Sequence, residues 1–375
     1  MKGFLPEKTP LKEYSIDSSS LNRLQEIASN LPKLLLTGRV QSMVESLKKD
    51  DLSVQELLTT KNERELRLAM VHLSFIAHAY ILGGIKPNNK LPEVVAAPWV
   101  QVSEFLGRPP VLSYASYCLD NWFLLEDEPL SLENVALINN FLGGLDEDWF
   151  VTIHVCIEGA ASGAIEAAEK LSQCDGSTNE KEIHNLLSEI EISLQEVNKI
   201  FLRMTERCDP YVYYHRVRPF IFGSKDNPDL KNGLIYENQF SNEAQFFRGE
   251  TGAQSSIVPS LDGVLGVKHS KDALRHYLNE MRDYMPPKHK KFIKKVEGSV
   301  LKDLVLDSAN LKKIYNQCLK ELSDFRALHL KYAGMYIHKQ SQQKNPFGTG
   351  GSTIKGTGGT PFMTYLKKHL EETKV

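Results

Sequence analysis

A chain of 375 residues, 41% hydrophobic and 25% charged, is composed like an ordinary soluble globular protein and is long enough for two domains and a large core. Its formal net charge of −2 excludes attraction to nucleic acid or to an anionic membrane as the main business of its surface. No apolar run approaches the roughly 18 residues of a transmembrane helix, the opening MKGFLPEKTPLKEYSID lacks a signal peptide's apolar core, and the five cysteines stand singly, so a cytoplasmic protein with reduced thiols is expected.

Helical periodicity runs the length of the chain. LNRLQEIASNLPKLL and ERELRLAMVHLSFIAHAYIL repeat at three and four, as do NEKEIHNLLSEIEISLQEVNKIFLRMTER and DSANLKKIYNQCLKELSDF. Strand signals are few, short and confined to the first third, among Pro-rich connections such as KPNNKLPEVVAAPW and LGRPPVLSY. The pattern predicts an all-α, two-domain protein. A smaller, mainly helical N-terminal domain (1–138) is followed by a larger helical domain (139–375), divided near the acidic EDEPLSLENVALINNFLGGLDED.

DEDWFVTIHVCIEGAASGAIEAAEKL (146–171) predicts one helix with Phe150, His154, Ile157, Ala161 and Ile165 on a shared face. Its glycines cost about 1 kcal/mol each relative to Ala, a cost accepted where another backbone or a flat ligand comes close. His154 reads either as a satisfied core histidine or as a site residue whose tautomer Glu158, one turn on, is placed to hold. In CDPYVYYHRVRPFIFG (208–223), Asp209 is an N-cap and Pro210 the first helical residue. Tyr214 and Arg218 share a face there, and the guanidinium either clamps a carboxylate by two parallel hydrogen bonds or makes a modest surface salt bridge. FGSKDNPDLKNGLIYENQ (222–239) reads as a loop. In FFRGETGAQSSIVPSLDGVLGV (246–267), Gly252 and Ala253 would let backbone approach a planar ligand, and Asp262 on the following helix can pair with a base elsewhere.

In LSDFRALHLKYAGMYIHK (322–339), Phe325, Leu328, His329, Tyr332, Ala333 and Tyr336 share one helical stripe, so His329 sits amid an apolar face. His338, about 900° further round, points the other way, and the two cannot share a metal. His329 is either a core imidazole bonded to a backbone carbonyl or a single axial ligand to a haem iron, with Arg326 near a propionate. The run 339–361 contains GTGG twice and reads as a flexible surface loop or a mobile lid; a short amphipathic helix, FMTYLKKHLEE, follows. The GK[ST] of a phosphate-binding loop is missing from it.

Four motifs occur in order from Leu91 to the C-terminus: ETGAQSS, the MPP of YMPPKHKKF, the RxLH of FRALHL and KGTGGT. Their order and spacing make the chain resemble the indoleamine 2,3-dioxygenases, haem enzymes that open the indole ring of tryptophan with molecular oxygen. Before Leu91 the likeness is one of helical character alone. The resemblance implies haem b with His329 as proximal ligand, an Arg326–Asp262 salt bridge beside a propionate, and Gly252 next to the haem. It also implies that Arg218 holds the substrate carboxylate, that Tyr114 and Phe150 line the indole pocket with Tyr117 and Cys118 deeper, and that Thr357 belongs to a closing loop. Tyr213 and Tyr214 stand where mammalian members have phenylalanines, and His154 stands where they have a distal serine. The related tryptophan 2,3-dioxygenases carry a distal histidine that receives the indole N–H.

The implied activity inserts both atoms of O2 across the indole C2–C3 bond of L-tryptophan to give N-formylkynurenine, a step of the kynurenine pathway. Catalytic roles fall to His154 and Arg218, O2 is co-substrate, and an electron donor keeps the haem ferrous in a monomer. Two alternatives stay open. Some molluscan myoglobins share the fold and store oxygen, in which case His154 would serve bound dioxygen; a modified indole is the other.

Overall fold

The computed structural model describes residues 3–306, 308–342 and 362–373, and over them the fold is all-α with five strands of two or three residues. Thr357 and the two GTGG copies lie outside the described residues, while 339–341, read as the start of the loop, continue a helix.

The N-terminal core is built around α1 (Glu63–Leu82) and α2 (Glu93–Leu106). The Asn62 side chain caps α1 by accepting from the Arg64 amide, and Glu63 and Glu65 place negative charge at the positive end of the helix. Trp99 on α2 donates to Ser74 Oγ on α1 at 3.2 Å. By length and composition α1 could cross a membrane, as could the stretch Leu145–Leu171, contrary to the run-length expectation. Isolated polar residues interrupt both runs, yet the mean hydropathy of each stays at 1.2. In the fold that apolar surface is spent on the core, with α1 94% buried.

Strand β1 (Lys90–Leu91) pairs in parallel with β4 (Leu234–Tyr236), which pairs antiparallel with β5 (Ala244–Gln245); β2 (Phe123–Leu124) and β3 (Val135–Ala136) form a separate antiparallel pair. β4 and β5 correct two expectations: strands are not confined to the first third, and 222–239 is more than a loop. A three-residue strand has no period to read, and β1, its partner, is distant in sequence.

Helices α3 (Leu145–Ala160), α4 (Ser162–Leu171), α5 (Glu180–Leu202), α6 (Ile257–Leu265), α7 (Ala273–Met281), α8 (Ala309–Ala333) and α9 (Phe362–Thr373) frame the larger C-terminal part. The single helix expected over 146–171 breaks at Ala161. Its small residues admit protein and not a flat ligand: a Cβ on Gly159 would lie 2.7 Å from Leu130 Cδ2, and one on Gly163 2.8 Å from Ser193 Oγ. α3 belongs to two cores at once. Val151, Val155 and Cys156 join the N-terminal cluster, whereas Trp149, Ile153 and Ile157 join the cluster of α4, α5, α6 and α8. Phe150 packs against both, which puts His154 at the junction.

The segments 221–223 and 247–250 cross at van der Waals limits. A Cβ on Gly249 would sit 2.2 Å from the Ile221 carbonyl oxygen, which accepts from the Glu250 amide at 3.0 Å. Gly249→Ala is expected to cost about 1–3 kcal/mol by overpacking, read as a lower urea midpoint. Wild-type stability in that variant would show that the crossing opens freely.

Candidate active site

Between α3, α5, α6, α8, α9 and the 250–255 turn lies a cavity of about 290 Å³. The chain is π-helical at Ala115–Leu119, Tyr213–Val217 and Gly334–His338, and Tyr213 and Tyr336 from two of these turns reach the cavity. Such turns redirect side chains that a regular helix would place elsewhere.

His329 enters from α8, half-buried, with the rings of Phe201 and Phe325 at 6.2 and 6.4 Å. Neither of its ring nitrogens has a hydrogen-bond partner among the described residues. The contrast with His78 is direct: there Nδ1 meets the Phe220 carbonyl at 2.7 Å and Nε2 accepts from the Leu112 amide at 3.0 Å, a fully satisfied core histidine. Burial lowers the His329 pKa to about 4, and the neighbouring His154 and the Arg326 charge disfavour its protonation further. At neutral pH the ring is uncharged, the form that ligates a metal. His338 is exposed and takes no part.

His154 enters from α3. Its Nδ1 lies 2.7 Å from the Phe150 carbonyl oxygen. A carbonyl only accepts, so Nδ1 carries the proton and Nε2 keeps a lone pair. Burial depresses its pKa as well, which keeps the ring neutral. Glu158, expected to hold this tautomer, does not do so. It accepts instead from the Tyr114 hydroxyl at 2.9 Å and from Ser255 Oγ at 2.7 Å. Phe150 lies against His154 and Tyr213, with ring centroids at 4.5 and 4.4 Å, and Tyr114 closes the group edge-on to His154 at 6.0 Å.

The ETGAQSS turn is locked to this wall. Gln254 Oε1 accepts from the Tyr114 amide at 2.8 Å while its Nε2 donates to the Gly249 carbonyl at 2.9 Å. A Cβ on Gly252 would meet nothing within 4 Å, so the glycine opens onto free space in the cavity. On the α6–α8 side, Arg326 Nη2 and Asp262 Oδ2 are ion-paired at 2.6 Å. Burial alone would raise the Asp262 pKa, but the Arg326 charge and His269 outweigh it and hold the carboxyl at about 2. Arg326 Nη1 also bonds Thr373 Oγ1 of α9.

Tyr114, Phe150, His154, Tyr213, Gly252, Asp262, Arg326 and His329 thus share one cavity. Tyr117, Cys118, Tyr214 and Arg218 are buried outside its lining. The Tyr117 hydroxyl donates to Glu147 at 3.3 Å, and the Arg218 guanidinium lies over the rings of Tyr214 (5.1 Å) and Phe222 (4.7 Å). The sequence reading missed two contributors. Glu250 lines the cavity and is 3% exposed; an acid inside a Gly-rich turn was its only signal. α9 contributes Tyr365, Leu366 and His369, foreshadowed only by its amphipathic pattern.

The indoleamine 2,3-dioxygenase family model matches residues 1–375, including the stretch before Leu91 that carries none of the motifs. The chain belongs to the indoleamine 2,3-dioxygenase family. Rat indoleamine 2,3-dioxygenase 1 is 36% identical over 362 residues, covering 93% of this chain and 87% of the rat protein. The indoleamine 2,3-dioxygenase of Saccharomyces cerevisiae is 31% identical over 419 residues, with 99% and 90% covered. A 6-hydroxytryptophan 2,3-dioxygenase of Fusarium equiseti is 30% identical over 384 residues, with 97% and 93% covered. The protein is therefore an enzyme of a haem-dependent oxidoreductase family, a dioxygenase of the tryptophan and indole type. Its cavity fits that group: a neutral imidazole with no hydrogen-bond partner among the described residues, a cation beside it, apolar walls, and a glycine facing open space.

Burial pushes Glu158 up to about 7 and Glu250 up to about 8. An acid whose folded pKa is raised stabilises the fold fully below its unfolded value of about 4.3, and that contribution is lost as pH rises through the folded value. Between about pH 5 and 7, each group is expected to remove up to about 1.4 kcal/mol per pH unit from the cofactor-free protein. Urea melts across that range should show a shallower decline in Glu158→Gln than in wild type. Parallel profiles would mean that Glu158 is ionised in the folded protein.

Proposed function

We propose that the chain cleaves the indole C2–C3 bond of L-tryptophan with O2 to give N-formylkynurenine, using haem b held through His329. One observation carries the reading: the cavity presents from α8 a neutral imidazole without a hydrogen-bond partner among the described residues, and from α3 an unprotonated Nε2. When bound, haem supplies oxygen activation and insertion into the indole bond, with O2 as co-substrate and an external electron donor keeping the iron ferrous.

The protein's part is positioning. His329 holds the iron, the Asp262–Arg326 pair sets the charge beside it, and Gly252 leaves room for a flat ring. Phe150, Tyr114 and Tyr213 flank a planar indole. His154 Nε2 accepts the indole N–H and, with its pKa depressed by burial, orients the ring without removing the proton. Arg218 takes the substrate carboxylate by turning from the Tyr214 and Phe222 rings past Tyr213. The reading expects a cytoplasmic monomer.

The oxygen-storage alternative is disfavoured by the same geometry. A histidine that stabilises bound dioxygen must donate from Nε2, but the proton of His154 is on Nδ1, engaged by the Phe150 carbonyl. A ring-hydroxylated indole has one observation in its favour, the Glu250 carboxyl within the cavity.

The deciding experiment reduces the haem-loaded protein, adds L-tryptophan and air, and follows N-formylkynurenine by mass, with 6-hydroxytryptophan, D-tryptophan and tryptamine alongside. Product from L-tryptophan supports the reading. Product from 6-hydroxytryptophan alone moves it to the hydroxylated indole, and a stable oxygenated complex without product overturns it. Methylating the indole nitrogen removes the proposed bond to His154 and should weaken binding by about 1 kcal/mol, roughly fivefold. His154→Ala should bind L-tryptophan and its N1-methyl derivative equally; a persisting preference would exclude the bond.

A further inference from the structure

α9 carries His369 and Glu372, three residues apart and so on one face. It lays them against His269, in the segment between α6 and α7. One donor atom from each of the three lies within 4.8 Å of the other two. The groups around them are already oriented. Glu372 Oε1 accepts from the Ser270 amide at 3.1 Å and from Ser270 Oγ at 2.8 Å, which turns Oε2 inward to 2.6 Å from His269 Nδ1. On the other side of the ring, His269 Nε2 donates to Asp262 Oδ2 at 2.9 Å. That is the carboxylate–histidine–metal arrangement, in which the outer carboxylate fixes the ring and raises its basicity. His369 lies against His269 with the rings tilted at 45° and centroids 4.7 Å apart, and its Nε2 is buried without a hydrogen-bond partner among the described residues. A buried nitrogen without a partner is costly to leave so, and a ligated ion would satisfy it.

The nearby cations are both engaged by carboxylates: Arg326 is paired with Asp262, and Lys368, 3.8 Å from Glu372 Oε1, is paired with Asp272. Two imidazoles and one carboxylate suit zinc or a similar transition ion, whereas calcium and magnesium take oxygen donors. We propose that His269, His369 and Glu372 bind a divalent cation of the zinc type, fastening α9 to the segment between α6 and α7. In the metal-free protein a proton bridges His269 Nδ1 and Glu372, and the cation takes its place. His269 and His369 border the cavity that His329 enters, but His329 is not among the three ligands and the proposal does not depend on which indole is the substrate.

The test is calorimetric titration of ZnCl2 into the haem-loaded protein, which leaves His329 occupied. One equivalent should bind, and His369→Ala and Glu372→Gln should each weaken it by at least about tenfold. Glu372 lies outside the cavity lining, and its glutamine variant can still accept from Ser270 through Oε1, so it should load haem normally even if His369→Ala does not. Absence of saturable zinc uptake, or uptake undiminished in Glu372→Gln, overturns the proposal.

Discussion

His329→Ala is expected to purify with little haem and to turn over no tryptophan. The size of the effect follows from His329 being the single imidazole that α8 offers to the cavity and from its burial-lowered pKa of about 4, which keeps its lone pair available at neutral pH. Removing it should leave the fold in place, because the ring makes no hydrogen bond among the described residues and faces open space. Near-ultraviolet circular dichroism should therefore match wild type while the haem absorbance collapses. Added imidazole, free to enter the space vacated, should restore part of the haem content. A variant that keeps full haem and full activity would falsify the assignment and send the search to another histidine.

Arg218→Ala is expected to raise KM for L-tryptophan by about 10- to 150-fold, the equivalent of about 1.5–3 kcal/mol for hydrogen bonds to a charged group. The comparison with tryptamine, which has no carboxylate, decides what the change means. Arg218 is buried over Tyr214 and Phe222 and does not line the cavity at rest, so its removal could disturb packing as well as binding. Lost packing would slow both substrates alike. Loss of the clamp would bring L-tryptophan down to the level of tryptamine and leave tryptamine where it was. Arg218→Lys should recover only part of the affinity, because an ammonium lacks the planar fork that meets both carboxylate oxygens. An unchanged KM in Arg218→Ala removes the residue from the site.

Much of the site was legible locally. Asp209 caps the Tyr211 and Val212 amides at 2.9 and 3.0 Å, as the Asp-Pro start predicts. Tyr214 and Arg218 meet as their spacing requires. The helix around 322–339 separates His329 from His338 by rotation alone. Where the reading went wrong, a distant contact had intervened. Glu158 is correctly spaced to serve His154, yet Tyr114 and Ser255, 44 and 97 residues away in sequence, claim its carboxylate, and the Phe150 carbonyl serves His154 instead. The glycines of 146–171 do mark a close approach, but by Leu130 and Ser193.

By itself the sequence determined the helical class, the caps, the faces on which His154 and His329 lie, and a motif order that resembles one enzyme family. Each is a property of residues within a few turns of one another, or of their order along the chain, and 3.6-residue periodicity is enough to place side chains at that range. Only the tertiary structure decided that α3 would join two cores, that 234–236 would find β1, that Arg218 would rest outside the cavity, and that α9 would bring Glu372 to His269 across 103 residues. Those outcomes depend on which buried groups compete for the same partner, and chain spacing carries no information about a competitor that arrives from elsewhere in the fold.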